Sequence, residues 1–99
     1  MRSTMLLTYN IQPQAQEAYM QFMINVFMPM AQSLGLDNAG VWHTAYGDYP
    51  ARLLVFVAED SVMQNVLKDE RWQNIEARLK EYTTDYTRRI VPYVPGFQF

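Results

Sequence analysis

Hydrophobic and polar positions change their period several times along the chain, and each change marks an element. Residues 4–11 are apolar on both parities up to Pro13, which reads as a strand covered on both faces. Pro13 suits the first turn of a helix, where its missing N–H is no loss. Beyond it Ala15, Tyr19, Phe22, Met23, Val26, Phe27, Met30 and Leu34 recur at steps of three and four. That spacing predicts a long amphipathic helix with Gly35 as its C-cap, bent near Pro29, where one backbone hydrogen bond is lost. Residues 40–47 alternate Trp42, Thr44 and Tyr46 against Val41, His43 and Ala45, and Gly47-Asp48-Tyr49-Pro50 is turn chemistry. Residues 51–58 form the clearest strand of the chain.

The second half returns to helical spacing. Ser61-Val-Met-Gln64 reads as a capping box that opens a short helix with Val62, Met63, Val66 and Leu67 inward. Asp69 caps the next helix, whose buried stripe is Trp72, Ile75, Leu79, Tyr82 and Tyr86. Glu76 and Lys80 stand at the favourable i, i+4 spacing on its wet face. Residues 87–99 carry Ile90, Val91, Tyr93 and Val94 as a last strand. Pro92 and Pro95 cannot donate to a ladder, so this strand belongs at a sheet edge.

The order is β-α-β-β-α-β, with the second helical region in two pieces. It predicts an α+β, ferredoxin-like fold: a four-stranded antiparallel sheet with helices on one face, first and third strands central. A length of 99 residues allows one domain, residues 1–99. With 49% hydrophobic residues and a formal net charge of −2, the chain is not a disordered one. No stretch approaches the roughly 20 apolar residues of a membrane helix. The start lacks the pattern of a signal peptide, and the chain has no cysteine, so a cytoplasmic location is expected.

A sheet with helices on one side needs one apolar face per strand. Met5, Leu6 and Leu7, then Leu53, Leu54, Val55, Phe56 and Val57, supply apolar side chains on both. Exposing five or six of them would exceed the few hundred Å² that a soluble monomer tolerates. A second copy of the sheet, related by a two-fold axis, is the expected cover. The alternative is a monomer whose residues 94–99 fold across the sheet. Residues 1–57 hold only Arg2, Glu17, Asp37, Asp48 and Arg52 as charges. The Gln-rich first helix therefore reads as a solvated face or, alternatively, as a second contact in a larger oligomer.

Pro29 followed by Gly35, then Gly40-Val-Trp42-His-Thr44-Ala-Tyr-Gly47, an apolar strand and Asp69-Glu-Arg-Trp72 resemble the NIPSNAP-type members of the dimeric α/β-barrel superfamily. The resemblance covers nearly the whole chain in element order. It implies two sheets meeting face to face around a small cavity, with the Trp-x-Thr face of Trp42, Thr44 and Tyr46 turned toward it. Where the family typically has Asn shortly after the turn glycine, this chain has Pro50. Where the family tends to have His-x-Trp, it has Leu54-x-Phe56.

Candidate chemistry is sparse. His43, the one histidine, is the only side chain that titrates near neutrality without perturbation. A turn tight about Asp48-Tyr49 would pair Trp42 with Val55, Thr44 with Leu53 and Ala45 with Arg52, turning His43 toward the helices as a structural residue. A slip of one residue would reverse this, making His43 a candidate base or axial haem ligand. No other cofactor is expected. The cavity lining expected is Tyr9, Trp42, Thr44, Tyr46, Leu53 and Val55, with His43 and Arg52 as its polar reagents. No metal is expected: one histidine and scattered carboxylates offer no ligand spacing. Glu59-Asp60 and Asp69-Glu70 suit helix starts, where acids complement the dipole. Arg88-Arg89 is the one basic pair, and the acidic balance argues against nucleic acid. Two readings stand: a homodimeric, non-catalytic module that binds a small ligand or a partner, and a cofactor-independent monooxygenase or isomerase acting on a small, partly apolar or aromatic metabolite.

Overall fold

Strand alternation divides the first strand into two faces, and this division organises the molecule. The computed structural model describes residues 1–46 and 49–95, with side chains described for all of these except residues 42–46, 49 and 50. The elements are β1 (Arg2–Ile11), a 3-10 turn (Pro13–Ala15), α1 (Gln16–Phe22), a π-helical stretch (Met23–Phe27), α2 (Met28–Ser33), β2 (Asp37–Tyr46), β3 (Tyr49–Glu59), α3 (Asp60–Lys68), α4 (Glu70–Glu81) and β4 (Thr83–Pro92). The sheet is antiparallel with order β2-β3-β1-β4. The two most apolar strands are central and the proline-bearing β4 is at an edge, as the pattern predicts.

Met5, Leu7, Tyr9 and Ile11 of β1 share one face with Leu54, Phe56 and Ala58 of β3, and all seven are buried in one core with the helices. Phe27 lies at the centre of that core, 5.7 Å from the Trp72 ring and 6.3 Å from Phe56 between centroids. From α4, Trp72 and Leu79 are fully enclosed.

The long first helix is not uniform. Pro29 has no N–H to give the Asn25 carbonyl, and its ring would crowd that carbonyl in an α-helix. The chain responds by widening the turn just before it, so that the Met28 N–H donates to the Met23 carbonyl. The helix then ends on Gly35 at φ 98°, with Gly35 N–H donating to Gln32 O and Leu36 N–H to Ala31 O. That is a Schellman stop, and buried Leu36 seals it. A Cβ on Gly35 would stand 2.9 Å from Val62 Cγ1, so glycine is required by space as well as by φ.

Three local expectations are corrected. First, α3 starts at Asp60 rather than at the Ser61 box. Glu59 occupies the N-cap with no side-chain hydrogen bond, and Asp60 accepts instead from Ser3 Oγ across the sheet. Second, Glu76 does not pair with Lys80. Its carboxylate turns to β4 and accepts from Tyr86 Oη at 2.7 Å and Arg88 Nη1 at 2.8 Å. Third, β4 begins at Thr83, so Tyr86 is a strand residue. Thr83 is buried, and its hydroxyl donates to the Leu79 carbonyl, turning the chain directly from helix into strand. The Asp69 cap forms as expected, accepting from the Arg71 backbone N–H at 2.8 Å.

The second sheet face also differs from expectation. Thr4, Val55 and Val57 lie on it, yet are buried within the single chain, and Leu6 and Leu53 are half-buried. Among the described residues, this face of β1 and β3 therefore shows no patch of five or six exposed apolar side chains. The alternative in which residues 94–99 cross the sheet falls largely outside the described residues.

Candidate functional site

Register decides which candidate residues can meet. Tyr46 pairs with Tyr49, so Trp42 faces Leu53 across the ladder, His43 faces Arg52 and Thr44 faces Ala51. This is two residues from the pairing expected of a turn at Asp48-Tyr49. A shift of two leaves the alternation of β2 against β3 unchanged. The side chains of Trp42, His43, Thr44 and Tyr46 lie outside the described residues.

The remaining candidates divide between the two faces. Tyr9 is paired directly with Arg52, and both belong to the helix-covered side. Leu53 and Val55 alternate with Arg52 and Leu54, so they occupy the other side. Tyr9 therefore does not share a wall with Leu53 and Val55, because successive strand residues point to opposite faces.

What the structure builds around Tyr9 is a polar cluster inside the helix–sheet layer. Tyr9 is 2% exposed and Tyr19, from α1, is 3% exposed. Their hydroxyls are hydrogen-bonded to each other, and their rings meet edge to face at 5.8 Å. On its other side Tyr9 stacks on Tyr86 at 6.2 Å. Burial pushes the Tyr9 phenol far above the ordinary tyrosine range, with Tyr19 reinforcing the shift, and burial likewise raises Tyr19. Both stay protonated at any physiological pH.

Arg52 completes the cluster. It is half-buried, and its Nη2 reaches the Met20 sulfur at 4.0 Å. Its Nε is buried without a hydrogen-bond partner, and none of the ion pairs among the described residues involves it. The other such orphan, Trp72 Nε1, is a weaker and neutral donor in the core. Tyr19 is the residue that pattern reading assigned to packing alone. A buried tyrosine needs a partner for its hydroxyl, and the partner, Tyr9, sits ten residues earlier in a different element.

A cavity of about 220 Å³ opens elsewhere, between α2 and the start of β2, lined by Met28, Gln32, Leu36, Asp37, Asn38 and Phe56. It sits at the β2 bulge, where Gly40 N–H donates to Asn38 Oδ1 at 2.9 Å. Among the described residues no three metal-ligating side chains gather, and no helix is long and apolar enough to cross a membrane.

No family model and no curated protein matches the sequence. Solved structures do match the fold. A NIPSNAP family protein from Agrobacterium tumefaciens aligns over 97% of this chain and 89% of its own, at 17% identity and a TM-score of 0.67. A conserved protein from Methanosarcina mazei covers 94% and 93%, at 12% identity and 0.70. A mutant form of SnoaB from Streptomyces nogalater, a cofactor-independent oxygenase, covers 98% and 95%, at 10% identity and 0.66. The chain thus has a NIPSNAP-like, ferredoxin-like α/β fold over nearly all its length.

Proposed function

We propose that this protein is a NIPSNAP-like small-ligand-binding module that works as a homodimer and does not itself transform its ligand. The observation that carries the reading is the Tyr9–Tyr19–Arg52 cluster, a set of polar groups enclosed between sheet and helices with one guanidinium nitrogen unpaired. Buried polar groups are normally satisfied, and a convergent set within an apolar layer is how small-molecule sites fix orientation. The dimer reading rests on the helix-free sheet face, where Leu6, Leu53 and Val91 are half-buried in the single chain and available to a second copy.

The fold shared with an oxygenase, and a guanidinium placed to hold an enolate oxygen, favour a second reading as a cofactor-independent monooxygenase or isomerase. Such chemistry also needs a base. Tyr9 and Tyr19 are held protonated and cannot serve, which leaves the position of His43 opposite Arg52 to supply one.

Two measurements separate these readings. Sedimentation in dilute buffer should give twice the 11.6 kDa chain mass, and a monodisperse monomer would sink the dimer. A melting-temperature screen against small aromatic and enolic metabolites should find stabilising ligands. Mass spectrometry after aerobic incubation should recover them unchanged, whereas incorporated oxygen or a rearranged skeleton would move the assignment to the enzyme.

A further inference from the structure

Each polar group in the Tyr9–Tyr19–Arg52 cluster can be counted for what it still has to offer. Arginine carries only donors, five N–H groups and no acceptor. Its Nε–H is buried with nothing to donate to, and its Nη2 meets only a thioether sulfur, a weak acceptor. Between Tyr9 and Tyr19 one hydroxyl donates to the other, so a single phenolic proton is left over. The Tyr86 hydroxyl spends its proton on the Glu76 carboxylate and accepts no hydrogen bond from Arg52. No described carboxylate pairs with the guanidinium. The cluster therefore holds a positive charge and an excess of donors in a partly water-excluded layer.

A surplus of donors around a cation with no carboxylate partner among the described residues selects an acceptor that carries negative charge. A neutral carbonyl could accept hydrogen bonds but would leave the charge unanswered, whereas an oxyanion does both. Met20, whose sulfur the guanidinium reaches, is 42% exposed, and Arg52 is itself half-buried, so the cluster lies near the surface.

We infer that Arg52, with the Tyr9–Tyr19 hydroxyl pair, is the anchor for an oxyanion of the bound ligand, a carboxylate or the enolate of a 1,3-dicarbonyl. The inference rests on the small-ligand reading above and names the ligand's chemical class. The Nε–H takes one lone pair of the oxyanion, and the spare tyrosine proton takes a second. Arg52 acts here as a binding residue. Its flat fork, not its charge alone, sets the preference, so lysine does not replace it fully.

The test uses the full chain labelled with 15N, following the Arg52 Nε–H signal during titration with benzoate, with the enolate of cyclohexane-1,3-dione, and with neutral benzamide. One or both anions should move that signal saturably while benzamide leaves it in place, and which anion binds tighter tells carboxylate from enolate. Arg52→Met, which keeps the side-chain bulk, should weaken anion binding at least about tenfold. Arg52→Lys should fall between Arg52→Met and the wild type, and Tyr19→Phe should lose a few-fold. Circular dichroism identifies a variant that has lost its fold, in which case the wild-type signal decides. Benzamide binding as tightly as benzoate, unchanged anion affinity in folded Arg52→Met, or an Arg52 Nε–H signal blind to both anions would overturn the oxyanion assignment. Those results leave the small-ligand reading intact if other compounds still stabilise the protein. Only a screen in which nothing binds removes that reading.

Discussion

Two clusters built from the same residue types lie side by side on the helix-covered half of the molecule, and they end in opposite states. In one, Glu76 accepts from the Tyr86 hydroxyl and from Arg88, and the Lys80 ammonium lies 5.2 Å over the Tyr86 ring. Charge and hydrogen bonds close on themselves. In the other, Tyr9, Tyr19 and Arg52 come together with no carboxylate among the described residues, and a buried donor is left over. A single acidic side chain separates a structural knot from a candidate site. Tyrosine and arginine in a core do not signal function; an unbalanced set of them does.

Alkali should act on both clusters with the largest effect. Tyr9, Tyr19 and Tyr86 all have their phenol pKa raised, chiefly by burial. Their folded pKa values lie above the unfolded one near 10, so the folded state holds protons that the unfolded state releases. Stability is therefore complete below about pH 10 and falls as pH rises above it, by at most about 1.4 kcal/mol per pH unit for each tyrosine that stays protonated in the fold. Denaturant midpoints measured from about pH 9 to about pH 11.5 should fall steeply, with the tyrosinate absorbance of three of the seven tyrosines appearing only as the protein unfolds. Ionisation of all seven tyrosines in the still-folded chain near pH 10 would refute the burial of these hydroxyls.

Removing the acid that closes the first cluster comes next. Glu76→Ala leaves the Tyr86 hydroxyl and Arg88 without their acceptor, and stability should drop by about 2 kcal/mol in a denaturant titration. A loss below about 0.5 kcal/mol, the scale of an exposed ion pair, would show that the cluster is a surface contact only.

The smallest effect is the most telling one. Arg52→Met removes a guanidinium whose Nε has no acceptor and whose Nη2 meets only the weak Met20 sulfur, so stability should stay within about 0.5 kcal/mol of wild type or rise slightly. A loss near that of Glu76→Ala would mean that Arg52 is a structural residue after all. The two clusters would then be alike.

Several features were legible in the chain itself, because they depend on local chemistry. The period of apolar residues distinguishes strands from helices without reference to distant residues. Gly35 is the helix stop because only glycine takes φ 98° beside Val62 without cost, and Asp69 caps α4 through a hydrogen bond two residues away. Pro29 announces a disturbed helix, and the apolar weight of β1 and β3 puts them at the centre of the sheet.

What the tertiary structure alone decided is the long-range pairing. Pairing Tyr46 with Tyr49 rather than Ala45 with Arg52 hardly differs in local chemistry, yet it moves every β2–β3 pair by two residues. Glu76 has Lys80 four residues on, which satisfies any local rule. It turns instead to Tyr86 and Arg88 because β4 returns antiparallel to β1, bringing them within 2.8 Å. Tyr9 and Tyr19 meet because α1 folds back over the sheet, and Arg52 joins them through the β1–β3 ladder. The amino-acid order determined the elements and their sequence. Only the packed chain decided which buried donors found acceptors, because that depends on residues brought together from distant parts of the chain, and no local period encodes it.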